Sequence, residues 1–145
     1  MIGILLLSHG DMAKGMENSC KLFFGEDIPQ ISSATLQAGD SVEKFDELLE
    51  NKIKEVDSGD GVICLVDLLG GTPSNRSILV MNEKIKVITG MNFTMLLELL
   101  GRRLTVSDIS ELDINELIST SKDGIVLLND KIQMQQEDLD LEPLE

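Results

Sequence analysis

The chain has no tryptophan and no tyrosine, and its 3% aromatic content is phenylalanine alone. Two cysteines, three prolines and one histidine occur among its 145 residues. Each scarcity excludes something. Cys20 and Cys64 show no CxxC spacing and no cysteine-dense framework, so they read as two buried thiols of a reducing compartment, with no disulfide. Basic residues number 12 against 26 acidic ones, and the resulting charge of −14 opposes nucleic-acid backbones and anionic membranes while favouring a cationic partner face. No apolar run approaches the roughly 18 residues of a membrane span. The opening "MIGILLLSHGD" lacks the basic n-region and the length of a signal peptide. Neither GxGxxG after the first apolar run nor GxxxxGK[ST] occurs, which argues against dinucleotide and P-loop sites, and no GxSxG marks a nucleophile elbow. What remains is a cytoplasmic chain of one domain, long enough to bury roughly two thirds of its unfolded surface.

Apolar runs and helical stripes alternate along it. Ile2 to Leu7 is continuously apolar, the pattern of a parallel strand covered on both faces. From Asp11, Met12, Met16, Cys20 and Phe23 recur at helical intervals and predict a helix of about three turns that Gly25 stops. Gln30 to Leu36 reads as a weaker strand, nearer an edge. Asp40 and Glu43 offer a capping box for a helix striped by Val42, Phe45, Leu48, Leu49 and Ile53. Val62 to Val66 is a third strand. Thr72 as cap and Pro73 at the first helical position predict a short helix to about Met81. Ile85 to Ile88 is a fourth strand, followed by helices over "FTMLLELL" and Asp113 to Ser119. "GIVLLND", Gly124 to Asp130, resembles a last strand, and the acidic "QQEDLDLEPLE" is expected to be poorly ordered or loosely docked. The pattern is that of an α/β fold with an open, mainly parallel sheet and helices on both faces.

In such sheets, sites form at the carboxyl ends of strands. Strand one ends in "SHGD" and strand three in "DLLGGTPSN", so neighbouring strands bring His9, the only histidine, to Asp67. A carboxylate on one ring nitrogen fixes the tautomer and leaves the other with an outward lone pair, free to act as base or nucleophile. Gly10 and Asp11 enter one helix and Gly70, Gly71 and Thr72 another, placing helix-end amides near His9, where an oxyanion is favoured. Ser8, Thr72, Ser74 and Asn75 are uncharged donors around that space. Lysines or arginines there would over-stabilise a phosphoryl group and slow its transfer, so their absence suits a carrier. A lone histidine or a GGTP turn is commonly structural; it is their conjunction that indicates a site.

"ILLLSHGDMAKG", "VICLVDLLGGTPSN" and "IKVITGMNFTMLLELL" together resemble the IIA proteins or domains of the mannose family of the bacterial phosphoenolpyruvate-dependent sugar phosphotransferase system. The likeness covers residues 1–130, expected as the IIA domain, with 131–145 as an acidic segment. It implies a phosphotransferase without metal or cofactor. His9, through Nε2, would take a phosphoryl group from the carrier HPr and pass it to IIB, which phosphorylates sugar entering through the membrane components IIC and IID. By the same likeness Asp67 faces Nδ1, Thr72 is the residue after the paired glycines Gly70 and Gly71, Asn75 completes that loop, and Gly90, Met91 and Asn92 form the adjoining one; with the helix entries and donors read above, Gly10, Gly71 and Thr72 are expected to bind the phosphoryl group and Ser8, Gly70, Ser74 and Asn75 to support the loop. The family forms homodimers in which the last strand crosses, antiparallel, to the partner's sheet, which makes Gly124 to Asp130 the exchanged strand. Some members carry IIB after a linker; here IIB is expected as a separate polypeptide. Alternatives are the phosphoryl donor subunit of a dihydroxyacetone kinase, a non-transferring regulatory protein of the same fold and, ranked last, a hydrolase. The sugar is not legible.

Overall fold

A computed structural model describes residues 1–139, with side chains to residue 133; the end of the acidic segment, 140–145, lies outside the described residues. The elements run β1 (Gly3–His9), α1 (Met12–Ser19), α2 (Lys21–Phe24), β2 (Ile31–Leu36), α3 (Val42–Val56), β3 (Val62–Val66), α4 (Thr72–Ser77), β4 (Ile85–Thr89), α5 (Phe93–Arg102), α6 (Ile114–Asp123) and α7 (Leu128–Leu139). All strand pairs are parallel, in the order β2-β1-β3-β4. The chain is therefore an α/β fold with a four-stranded parallel sheet flanked by helices. β2 does lie at an edge.

Strand period two explains the core. Ile4 and Leu6 face one way, with Ile63 and Leu65, under Met95, Leu96, Leu99 and Leu117 of α5 and α6. Leu5 and Leu7 face the other way, with Cys64 and Val66, under Phe45, Leu49, Ile53 and Val56 of α3. A strand buried on both sides needs an unbroken apolar run, and each such side chain contributes about 1.5–3 kcal/mol. Burial pushes the Cys64 thiol up to about 12, and both cysteines are free.

Several boundaries differ from expectation. The first helix breaks at Cys20 into α1 and α2, and Gly25 ends α2 at φ +90°. α3 is capped by Ser41, whose hydroxyl accepts from the Lys44 amide at 3.1 Å, because Asp40 is already committed to the Gln37 amide and the Lys44 ammonium. Thr72 is the first residue of α4, with Gly71 at the cap position, and α4 stops at Ser77. Beyond it Ile78, Leu79 and Met81 are more than half exposed and have no face to bury. α6 runs on to Asp123 from an Asp113 cap that accepts from the Glu116 amide.

The largest correction concerns Gly124 to Asp130. No antiparallel edge strand forms there among the described residues; residues 125–127 are irregular and α7 starts at Leu128. A strand exists only through its ladder. Among the described residues no strand pairs with the segment, and Ile125, Val126, Leu127 and Leu128 are 76%, 54%, 63% and 62% exposed.

Candidate functional site

β1 and β3 are direct neighbours with Leu7 opposite Val66, so the residues that follow come out together at the carboxyl edge of the sheet. The Asp67 amide extends the ladder to the Leu7 carbonyl at 3.0 Å, while His9 completes β1 against β2. Gly10 then turns the chain at φ +57°, a left-handed conformation that costs little only for glycine.

One carboxylate organises the imidazole. Asp67 Oδ2 accepts from the His9 amide at 2.9 Å and lies 2.7 Å from His9 Nδ1; Oδ1 accepts from the Leu68 amide at 2.9 Å. The Asp67 side chain is 7% exposed and that of His9 45%. Burial alone would raise the Asp67 carboxyl, but the hydrogen bonds from the His9 amide and ring and the Leu68 amide outweigh it and hold the group below the usual carboxylate range. An ionised carboxylate can only accept, so Nδ1 carries the proton and Nε2 presents its lone pair.

Gly71 closes the other side of the ring. A Cβ at this position would stand 2.5 Å from His9 Cε1 and 3.1 Å from Nε2, so only bare backbone fits against this edge of the ring. α4 begins at the next residue. Its first intrahelical bond is Asn75 amide to Gly71 carbonyl at 2.9 Å, and Pro73 has no N–H, which leaves the Thr72 and Ser74 amides without intrahelical acceptors. Asn75 Nδ2 donates to the Gly70 carbonyl at 3.3 Å and ties the loop to the helix.

The structure divides the remaining sequence candidates. Ser8 is fully buried; its hydroxyl donates to the Gly10 carbonyl at 3.0 Å and accepts from the Ala13 amide at 2.8 Å, so it caps α1 from below. Ser74 is buried and its carbonyl accepts from Ser77 Oγ at 2.6 Å. Thr72 is half-buried beside Gly71. Asn92 caps α5 through the Met95 amide at 2.9 Å, and Met91 is buried with its amide on the Val66 carbonyl. An apolar collar was not singled out from the sequence: Met12, at the start of α1 three residues after His9, and Leu68 and Leu69, directly after Asp67, are 48%, 50% and 80% exposed. Exposed leucines among turn residues were the available signal. No three His, Cys, Asp or Glu side chains gather as a metal-holding group among the described residues.

The site is thus a histidine braced by a carboxylate at the carboxyl edge of an open α/β sheet, against a glycine loop that opens a helix. The chain matches the family described as EIIA-man, PTS system fructose IIA component, over residues 3–118, and it belongs to that family. It is thus a phosphotransferase-system EIIA domain, of the class that relays phosphoryl groups through histidine. It is 26% identical over 137 residues to the fructose-specific EIIA component of Bacillus subtilis, covering 92% of this chain and 90% of that one. To the mannose-specific EIIAB component of Escherichia coli K12 it is 29% identical over 132 residues, 90% of this chain but only 40% of that longer protein. Among solved structures it is similar to a phosphotransferase EIIA component from Streptococcus agalactiae, at 29% identity and TM-score 0.78 over 89% of this chain and 98% of the other. A mannose/sorbose-specific IIA subunit from Enterococcus faecalis gives 25% identity and TM-score 0.75 over 87% and 93%.

Proposed function

We propose that this chain is the phosphoryl carrier of a mannose-family sugar uptake system and that His9 is its phosphorylated residue. The observation that carries this reading is the 2.7 Å contact between His9 Nδ1 and Asp67 Oδ2, which leaves Nε2 as the nucleophile of the chain's only histidine. The Nε2 lone pair attacks the phosphorus of a phosphohistidine on HPr; the donor's P–N bond breaks, and its electron pair returns to the donor imidazole. Asp67 stabilises the positive charge that develops on the His9 ring. The amides of Thr72 and Ser74, beside Gly71 and Gly10, receive the phosphoryl oxygens as fixed dipoles. In the second half of the cycle the same steps run in reverse toward IIB, which serves the membrane components IIC and IID. Residues 1–130 form this carrier domain, working in the cytoplasm, with 131–145 as its acidic extension.

The Met12, Leu68 and Leu69 collar supports docking, because transfer between two imidazoles requires the partner to cover the rim of the site. The charge of −14 suits a partner face with basic residues around an apolar centre. Homodimerisation through residues 124–130 belongs to the same proposal. A second copy's segment has a place to go: the open side of β4, where Met81, Ile85, Ile88, Ile114 and Ile118 line a groove.

Incubation with phosphoenolpyruvate, enzyme I and HPr, followed by intact-mass measurement, tests the assignment. One phosphate, labile in acid and stable in base, is expected on the wild type and none on His9→Ala; label retained by the variant overturns it. Discharge by IIB supports the sugar route, whereas discharge only by dihydroxyacetone kinase replaces it.

A further inference from the structure

Three cations lie on the helices that open at the site edge: Lys14 and Lys44 in the first turns of α1 and α3, and Arg76 in the last turn of α4. Lys44 is paired with Asp40 at 3.1 Å. Lys14 shares an open recess with Asp11 and Glu17. Arg76 is the one on the helix that grows out of the Gly70–Gly71 loop, four residues after Thr72. It therefore shares the helix face of Thr72, about 6 Å further along the axis. Its guanidinium is held away in a two-point fork by Asp46 of α3, with Nε to Oδ1 at 2.8 Å and Nη2 to Oδ2 at 2.6 Å. Glu43, on the same side of α3, adds to the negative charge that Arg76 meets.

We propose that Asp46 is a positioning residue for phosphoryl transfer, clamping Arg76 so that no mobile guanidinium pairs with the phosphoryl group on His9. The inference rests on His9 being the carrier. A relay intermediate must be left as easily as it is formed, and a cation that pairs with the phosphoryl dianion would stabilise that resting state without helping the onward step. An arginine is well shaped for such pairing, since its planar fork matches phosphate oxygens. Here the same fork is filled by a carboxylate. An unclamped positive charge roughly 10 Å from a dianion, at an effective dielectric of about 20 and screened over the Debye length of about 8 Å at physiological salt, corresponds to about a three- to ten-fold change in equilibrium.

Two substitutions break the clamp in different ways. Asp46→Ala leaves a free cation, and Arg76→Gln leaves none. The full-length chain is mixed with purified phospho-HPr without enzyme I, and the phosphate on each protein at equilibrium is read by intact mass. Asp46→Ala is expected to shift the distribution about three- to ten-fold toward the phosphorylated chain, with the shift shrinking in about 1 M salt. The double variant stays near wild type, and Arg76→Gln, which frees the Asp46 carboxylate instead of a cation, shows no shift toward the phosphorylated chain. Asp46→Asn, which keeps the side-chain shape, gives a smaller shift of the same sign and serves if the alanine variant folds poorly. Equal shifts in Asp46→Ala and Arg76→Gln would show that the pair only fastens α4 to α3 and overturn the proposal, as would no shift in either. A wild type that takes no phosphate on His9 removes the carrier assignment itself, an outcome distinct from an unshifted variant.

Discussion

Ile4–Leu7 and Ile125–Leu128 are written almost alike, ILLL and IVLL, yet the first stretch is fully buried and the second is 54% to 76% exposed. The difference is what the rest of the chain supplies. Ile4–Leu7 has β2 on one side and β3 on the other, with α5 above and α3 below. Ile125–Leu128 follows α6 with no strand beside it. An apolar tetrapeptide is thus only an option on a strand; neighbours with free backbone groups decide whether it is taken. The first stretch also has a functional consequence, because the ladder that buries it delivers His9 to Asp67.

Substitution at matched positions separates the two stretches most clearly. Leu6 is fully buried, with β2 and β3 on either side of its strand, and Leu6→Ala is expected to lower unfolding free energy by about 2–5 kcal/mol in urea titration. A loss under about 1 kcal/mol would mean that the central strand tolerates a cavity and that burial is not what distinguishes it.

Where the buried stretch ends, steric effects come next in size. Gly71→Ala places a methyl 2.5 Å from His9 Cε1, and the ring must swing off the Asp67 carboxylate or the loop must retreat. Displacement by about 1 Å costs on the order of 100-fold in rate. Phosphorylation by phospho-HPr in single-turnover mixing should fall by about that factor while the unfolding midpoint moves little. Unchanged transfer would remove Gly71 from the site.

Asp67→Asn is a gentler change, since it keeps the shape and removes the charge. Transfer in both directions is expected to slow by about ten-fold. The folded-state carboxyl is depressed, so its stabilising contribution is present above the unfolded value near 3.9 and is lost as pH falls through the lower folded value. Wild type minus variant stability should therefore be flat above about pH 5 and shrink below about pH 4. A difference that grows on acidification would reverse the assigned ionisation.

The same contrast explains what was legible in the sequence. β1 and β3, their neighbouring pairing and the meeting of His9 with Asp67 follow from apolar runs whose partners lie in the same chain. Caps were harder: Ser41 rather than Asp40, and Gly71 rather than Thr72, because several polar residues in a row can each cap and only the turn geometry chooses. Ser8 was legible as a site neighbour but not as the buried cap of Ala13. Arg103 gave no signal at all. It is 2% exposed and donates to the carbonyls of Ile2, Pro29 and Gln30, joining the end of α5 to the starts of β1 and β2, an arrangement that depends on three segments far apart in sequence. The collar of Met12, Leu68 and Leu69 was hidden because exposed apolar residues in a turn resemble any short apolar pair.

The smallest effect bears most directly on the exposed stretch. Leu127 is 63% exposed, and Leu127→Ala in dilute solution should change stability by less than about 0.5 kcal/mol. Concentration then supplies the missing variable. If a second copy offers its β4 edge, the segment gains the ladder that its own chain withholds, and the wild-type unfolding midpoint rises with protein concentration by mass action. Leu127→Ala would weaken that rise while leaving the dilute limit alone, so the IVLL stretch would become strand-like only between molecules. A midpoint independent of concentration, with the variant neutral throughout, would leave the segment solvated and the exchanged dimer without support.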